Sequence, residues 1–259
     1  MSSSPASALR TDPLAAALAQ VEHRQVRALL PAATQGLVVQ VTRHWPAVEL
    51  GLTEPRAWSV VVGGPGSPAA QIQGDPVAWP LASDSAAVVI LLHTLEQVAD
   101  PAPVLAEAER VLMPFGRLLV AGFNPWSLCG LRGMAERFGN HSREWWPQHL
   151  RSVGELRQLL GRLPLHVEDV TTAFFRVPVD RPWILRGTQV MEHIGPRLLP
   201  RSGGLYCLAA SKRRFAVRPL RLRWQRLPAY VAPGARIQAG RTAALQSVST
   251  QSVVEQLAA

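Results

Sequence analysis

The 259-residue sequence predicts an α/β fold, an open and mainly parallel sheet with helices on both faces. Two observations carry this. Residues 86–92 are continuously apolar, as a strand buried on both faces requires. They are followed by a stretch with helical apolar spacing, residues 101–112, and by a second apolar run, residues 117–123. Strand, helix and strand joined by tight turns make a βαβ unit, whose crossover is right-handed.

The remaining elements follow in order. Asp12 before Pro13 reads as an N-cap with proline at the first helical position, and Leu14, Leu18, Val21, Val26, Leu29 and Leu30 supply an apolar stripe to residue 30. Residues 37–41 and 58–62 read as strands, the second ended by Gly63, Gly64, Pro65 and Gly66. Residues 74–85, with Pro76 and Pro80, read as a loop. The central helix starts at Asp100 and Pro101, buries Val104, Leu105, Ala108, Val111 and Leu112, and is expected to be broken by Pro114 and Gly116. Ser152 and Glu155 form a capping box for a helix over 152–163. Residues 165–176 and 205–211 have strand character and suit a hairpin partnership.

Composition narrows the classes. Every apolar run is too short for a membrane-spanning helix, and residues 1–10 lack the apolar centre of a signal peptide, so a cytoplasmic location is expected. The two cysteines, Cys129 and Cys207, form no disulfide framework or metal cluster, and no metal site is expected. Of the formal charge of +9, residues 211–259 carry +8, which leaves the rest of the chain near neutral. The expected organisation is a disordered N-terminus over 1–11, a folded domain over 12–212, and a basic disordered tail over 213–259, where Pro and Arg are frequent and apolar periodicity fades. Weak polyanion binding through residues 212–241, with Phe215 and Trp224 interleaved among arginines, is an expected property of that tail, and a merely solubilising role is its alternative.

Residues 74–122 carry a set of spaced positions: Gly74, Asp75 and Pro76, then Leu81 to Ser85, the apolar run to Leu92, His93, Thr94 and Leu95, Asp100 and Pro101, and Glu107 to Gly116. This pattern resembles the core of class I S-adenosylmethionine (SAM)-dependent methyltransferases of the type-eleven sort. The sequence from Gly122 through Phe123, Asn124, Pro125 and Ser127 to Gly130, Leu131 and Arg132 is similar to a proteobacterial subgroup of methyltransferase-like proteins. The resemblance implies a Rossmann-like sheet that binds SAM at the carboxyl ends of its strands, with a methyl acceptor as partner. It implies cofactor contacts from Val41, Thr42, Asp75, Pro76, Leu92 and His93, with Asp75 accepting from the adenine amino group and His93 acting as a catalytic general base. A turn-capping Asp75 and a hydrogen-bonded, half-buried His93 are the alternatives. Asn124 either lines the same pocket or holds the turn with Pro125.

Two anchors of that family are absent. Thr42 stands where the first glycine of the usual glycine-rich loop is expected, and Arg43, His44 and Trp45 follow, so a Cβ restricts the backbone and large side chains compete for the cofactor's space. The second strand ends in Gly63 and Gly64 rather than in an acid for the ribose, and Glu54 precedes it. Two functional classes therefore stand side by side: a SAM-dependent methyltransferase, and a methyltransferase-like binding module that has lost its cofactor loop. Trp145 and Trp146 are expected either as a lid or as packing between a helix and the sheet, and Leu128, Leu131 and Met134 are expected in the core.

Overall fold

In the computed structural model, the described residues are 12–31, 34–42, 45–50, 57–63, 70–138 and 146–213. The chain divides into compact units Met1–Val217 and Arg218–Ala259, and the second lies wholly outside the described residues. The expected tail from residue 214 onward and the N-terminal segment 1–11 lie outside them as well, as do Arg43, His44, Glu54 and Trp145.

In chain order the elements are α1 (Pro13–Leu29), β1 (Gly36–Thr42), β2 (Ala57–Gly63), β3 (Ile72–Gln73), β4 (Ala86–Leu92), α2 (Ala102–Val111), β5 (Leu112–Phe123), α3 (Leu128–Phe138), α4 (Val153–Leu160), β6 (Leu165–Ala173), α5 (Pro182–Gly187), a short 3-10 turn, α6 (Met191–Leu198) and β7 (Leu205–Lys212). The seven strands are ordered β3-β2-β1-β4-β5-β7-β6. Neighbours from β3 to β5 pair in parallel, while β7 pairs antiparallel with both β5 and β6. Only β7 runs against the rest, so the carboxyl ends of β1, β4, β5 and β6 share one edge of the sheet with the start of β7. The predicted Rossmann-like α/β class is the observed one, including the terminal hairpin.

Local chemistry explains several boundaries. The Asp12 carboxylate accepts from the Leu14 amide at 2.9 Å, and the Ser152 hydroxyl accepts from the Glu155 amide at 3.2 Å, so both predicted caps close their helices. Every residue of β4 is buried, as its unbroken apolar run requires. Alternate strand residues feed two cores. Val38, Ile90, Leu92 and Phe123 pack with Leu14, Leu18 and Val26 of α1, and Val39, Val89 and Leu91 pack with Val104, Leu105 and Ala108 of α2.

Three expectations need correction. The central helix stops at Val111, and β5 begins at once with Leu112 in an extended conformation, so Pro114 and Gly116 lie inside the strand instead of ending the helix. Leu128, Leu131 and Met134 are not core residues: they are 51%, 58% and 40% exposed, and Cys129 on the other face of α3 is the buried one. Lys212, counted with the basic tail, is the last residue of β7 and is 2% exposed. Its ammonium donates to the Asp84 carboxylate and to the carbonyls of Glu109 and Leu112, so it is not available to a polyanion.

Candidate functional site

In an open α/β sheet the ligand crevice lies outside the carboxyl ends of the strands, where the strand order reverses. Here that point falls between β1 and β4, and the chain after β1 is drawn inward. Gln40, buried on β1, donates to the Val48 carbonyl at 3.0 Å and accepts from the Val48 amide at 2.8 Å. The Thr42 hydroxyl donates to the Trp45 carbonyl at 2.6 Å. These contacts fold residues 45–48 back along the sheet and bury the Trp45 indole, which is 4% exposed.

Trp45 lies directly on His93. Their ring centroids are 4.5 Å apart, and Phe123 covers His93 at 4.4 Å. His93 follows β4 with a φ of 51°, in the left-handed region, which turns the chain sharply at the strand end. Its Nδ1 is 2.8 Å from Glu96 Oε2, and its Nε2 is 3.4 Å from Glu22 Oε1. Glu22 reaches in from α1 and also accepts from the Trp45 indole N–H, while Glu96 accepts from the Phe123 amide. Beside Glu96 lies the Tyr206 hydroxyl, buried and without a hydrogen-bond partner among the described residues. Gly122 makes this approach feasible, since a Cβ there would overlap the Tyr206 hydroxyl.

Burial opposes the charge of His93, but the two carboxylates outweigh it and push its pKa up to about 10. Burial also raises Glu96, reinforced by Glu22 and only partly offset by His93. His93 therefore keeps its proton at neutral pH. With a carboxylate facing each ring nitrogen and the Trp45 and Phe123 rings packed against it, the imidazolium has no free nitrogen to offer as a base in this arrangement. This geometry makes His93 a positive centre shared by two buried acids.

The other expected contacts are spread along the same edge. Val41 and Leu92 are buried, and their carbonyls accept from the Thr94 hydroxyl at 2.7 and 3.3 Å, which ties the β4 turn to β1. Thr42 is committed to Trp45. Asp75 is exposed past β3, and its carboxylate accepts from the Val77 amide at 3.0 Å, the turn-capping arrangement. The Pro76 carbonyl accepts from the Trp79 indole at 2.9 Å. The crevice thus brings Val41, Thr42, Leu92 and His93 together and leaves Asp75 and Pro76 at the sheet's outer edge. Asn124 holds its turn: it donates to the carbonyls of Arg201 and Gly203 and accepts from the Trp126 amide. Trp146 is buried on Phe123, with centroids 5.2 Å apart, in keeping with a packing role.

Sequence reasoning missed Glu22 and Glu96. Glu22 was detectable, because it stands four residues from Leu18 and from Val26, inside the apolar stripe of α1 where a solvated acid has no place. Glu96 carries no such signal. The paired Glu107 and Arg110 have a structural purpose: Glu107 accepts from the Trp79 amide, and Arg110 donates to the Leu81 carbonyl and the Ser83 hydroxyl, which fixes the loop before β4.

A SAM molecule would need room for its methionine half near the β1 turn and a polar partner for its adenosine half. The residues at the outer edge fit the second need, with the exposed Asp75 carboxylate past β3 and β2 ending on Gly63. At the centre, Trp45 and His93 are in direct ring contact and take up space beside the end of β1. No group of three or more metal-binding side chains occurs among the described residues, and no helix there is long and apolar enough to cross a membrane.

Residues 58–120 match a family described as "Methyltransferase domain". The chain is 36% identical over 144 residues to the uncharacterized protein YafS of Escherichia coli, a match covering 55% of each, so it spans about half the length of that curated relative. Among solved structures it is similar to a SAM-dependent methyltransferase from Thermotoga maritima, with 20% identity, a TM-score of 0.53, and coverage of 75% of this chain and 89% of that one. It is also similar to a chain of the complex between the Haloferax volcanii Trm112 methyltransferase activator and a methyltransferase, with 17% identity, a TM-score of 0.51, and coverage of 74% and 88%. At these identities the structural likeness is one of fold.

Proposed function

We propose that the chain is a SAM-dependent methyltransferase that receives the adenosine end of its cofactor at the outer edge of the sheet, beside Asp75. The observation that carries this reading is the strand order β3-β2-β1-β4-β5-β7-β6 with only β7 reversed, on a chain whose residues 58–120 match a methyltransferase family. When bound, SAM supplies an electrophilic methyl group. The chain's own residues hold the adenosine end through Asp75, shape the floor with Val41 and Leu92, and keep water from the buried ion cluster with Trp45 and Phe123. His93 contributes a fixed positive centre rather than a proton acceptor.

Asp75 is the residue to test. Asp75→Ala should weaken SAM binding at least about tenfold, a loss of about 1.4 kcal/mol, in a calorimetric titration with SAM and with S-adenosylhomocysteine. Unchanged affinity would remove Asp75 from the site. The second reading, a methyltransferase-like binding module, is favoured by the indole of Trp45 packed on His93. No heat and no thermal stabilisation at millimolar SAM would establish that reading and end the first.

A further inference from the structure

Beyond the His93 cluster, the same edge of the sheet carries a second feature. A cavity of about 420 Å³ opens where β5 and β6 end and β7 begins. Its walls are Trp126, Leu128, Leu131, Phe175, Ile194 and Leu198, contributed by the loop after β5, by α3, by the chain after β6 and by α6. Small-molecule sites typically fall between roughly 300 and 1,000 Å³.

Two independent observations bear on its occupant. The first is that the polar side chains at its wall are engaged with neighbouring side chains and with the backbone. Ser127 donates to the Asn124 carbonyl at 2.6 Å and accepts from the Gly130 amide, Ser202 donates to the Leu199 carbonyl at 3.0 Å, and Arg176 pairs with Glu192 at 3.1 Å. Cys129, also in the wall, is a buried thiol whose pKa burial pushes up to about 12, so it offers no thiolate. What these groups leave at the wall is mainly apolar surface. The second concerns α6. This helix is amphipathic yet buries no residue, and its Met191, Ile194 and Leu198, at helical spacing, all face the cavity. Gly195 lets it lie against Phe175, whose ring a Cβ would strike. Trp126 and Leu198 extend the apolar surface to the mouth, where they are 82% and 72% exposed.

We infer that this cavity binds the hydrocarbon part of a small apolar or amphiphilic molecule, with any polar end directed to solvent at the mouth. That this molecule is the methyl acceptor rests on the function proposed above; the binding itself does not.

The test uses the full chain and the uncharged fluorescent probe N-phenyl-1-naphthylamine, with 1-dodecanol as competitor. The expected result is saturable binding of one probe per chain, displaced by dodecanol and weakened at least tenfold in Leu131→Asp and in Ile194→Asp. Both residues are about half exposed, so the fold tolerates the change, and thermal unfolding verifies that. Met113→Asp, 38% exposed near the start of β5, should bind as the parent does. Absence of saturable binding, or equal binding in all variants, overturns the proposal. So does a parent chain that sediments as a dimer, binds no probe, and becomes monomeric on Leu131→Asp, which would make the face a contact between copies. SAM titration of the same variants reads the methyltransferase function separately: probe binding without SAM binding leaves the cavity standing and removes its role as acceptor site.

Discussion

Replacing His93 by leucine is expected to cost about 3–5 kcal/mol at neutral pH, because it takes away the positive charge that two buried acids now share. The side chains of Glu22 and Glu96 are 0% and 1% exposed, so solvent cannot take over that task. Chemical denaturation of parent and variant measures the difference. The same substitution in a Glu22→Gln background should cost clearly less, since one of the stranded acids is gone. Equal costs in both backgrounds would mean that the cluster is not electrostatically coupled.

The cluster also sets a pH dependence with a definite sign. The folded pKa of His93, about 10, lies above its ordinary value of 6.5. The stability it contributes is therefore fully present below pH 6.5 and is lost as the pH rises through 10. Glu96, raised by burial, acts in the same direction, from the ordinary carboxylate value upward. The melting temperature of the parent should fall between pH 6.5 and 10. In His93→Leu the part of the decline between pH 6.5 and 10 should be lost, because only acids then titrate in the cluster. A parent melting temperature that is flat to pH 10 would show that His93 is not held as an imidazolium.

Lys212→Met is the second large effect expected, about 3 kcal/mol. Methionine keeps most of the stem but none of the donors, and the ammonium now serves Asp84 at 2.6 Å, the Glu109 carbonyl at 2.7 Å and the Leu112 carbonyl at 2.6 Å. Those carbonyls lie at the junction of α2 and β5, so this side chain fastens the end of β7 to the centre of the sheet. Because the site is buried, added salt should barely change the difference, unlike that of a surface pair. A cost below about 1 kcal/mol would show that water replaces the lysine readily.

Much of the fold was legible in the chain because it is written in local periodicity. The unbroken run of β4, the helical spacing of α2, and the caps at Asp12 and Ser152 each depend on neighbours within a few residues. Their order fixed the α/β class and made the hairpin of β6 and β7 a reasonable expectation. β3, with two residues, is too short to leave a pattern.

The candidate site was legible only in part. His93 was singled out, but its partners come from α1 and from the turn after β4, and no spacing rule joins residue 22 to residue 93. Leu128, Leu131 and Met134 have helical apolar spacing, and spacing alone led to a core assignment; which body packs against a stripe is decided by the rest of the chain, and among the described residues these three stay 40% to 58% exposed. Lys212 reads as part of a basic run until the sheet closes around it. By itself the sequence determined the first helix, the central βαβ unit, the two capped helix starts, the strands of the terminal hairpin and the absence of glycine after β1, since these are properties of neighbouring residues. Only the tertiary structure decided that Trp45 turns inward, that His93 is a charged centre between two acids, and that an apolar cavity opens beside α6, because burial and charge compensation are set by contacts between residues far apart in the chain.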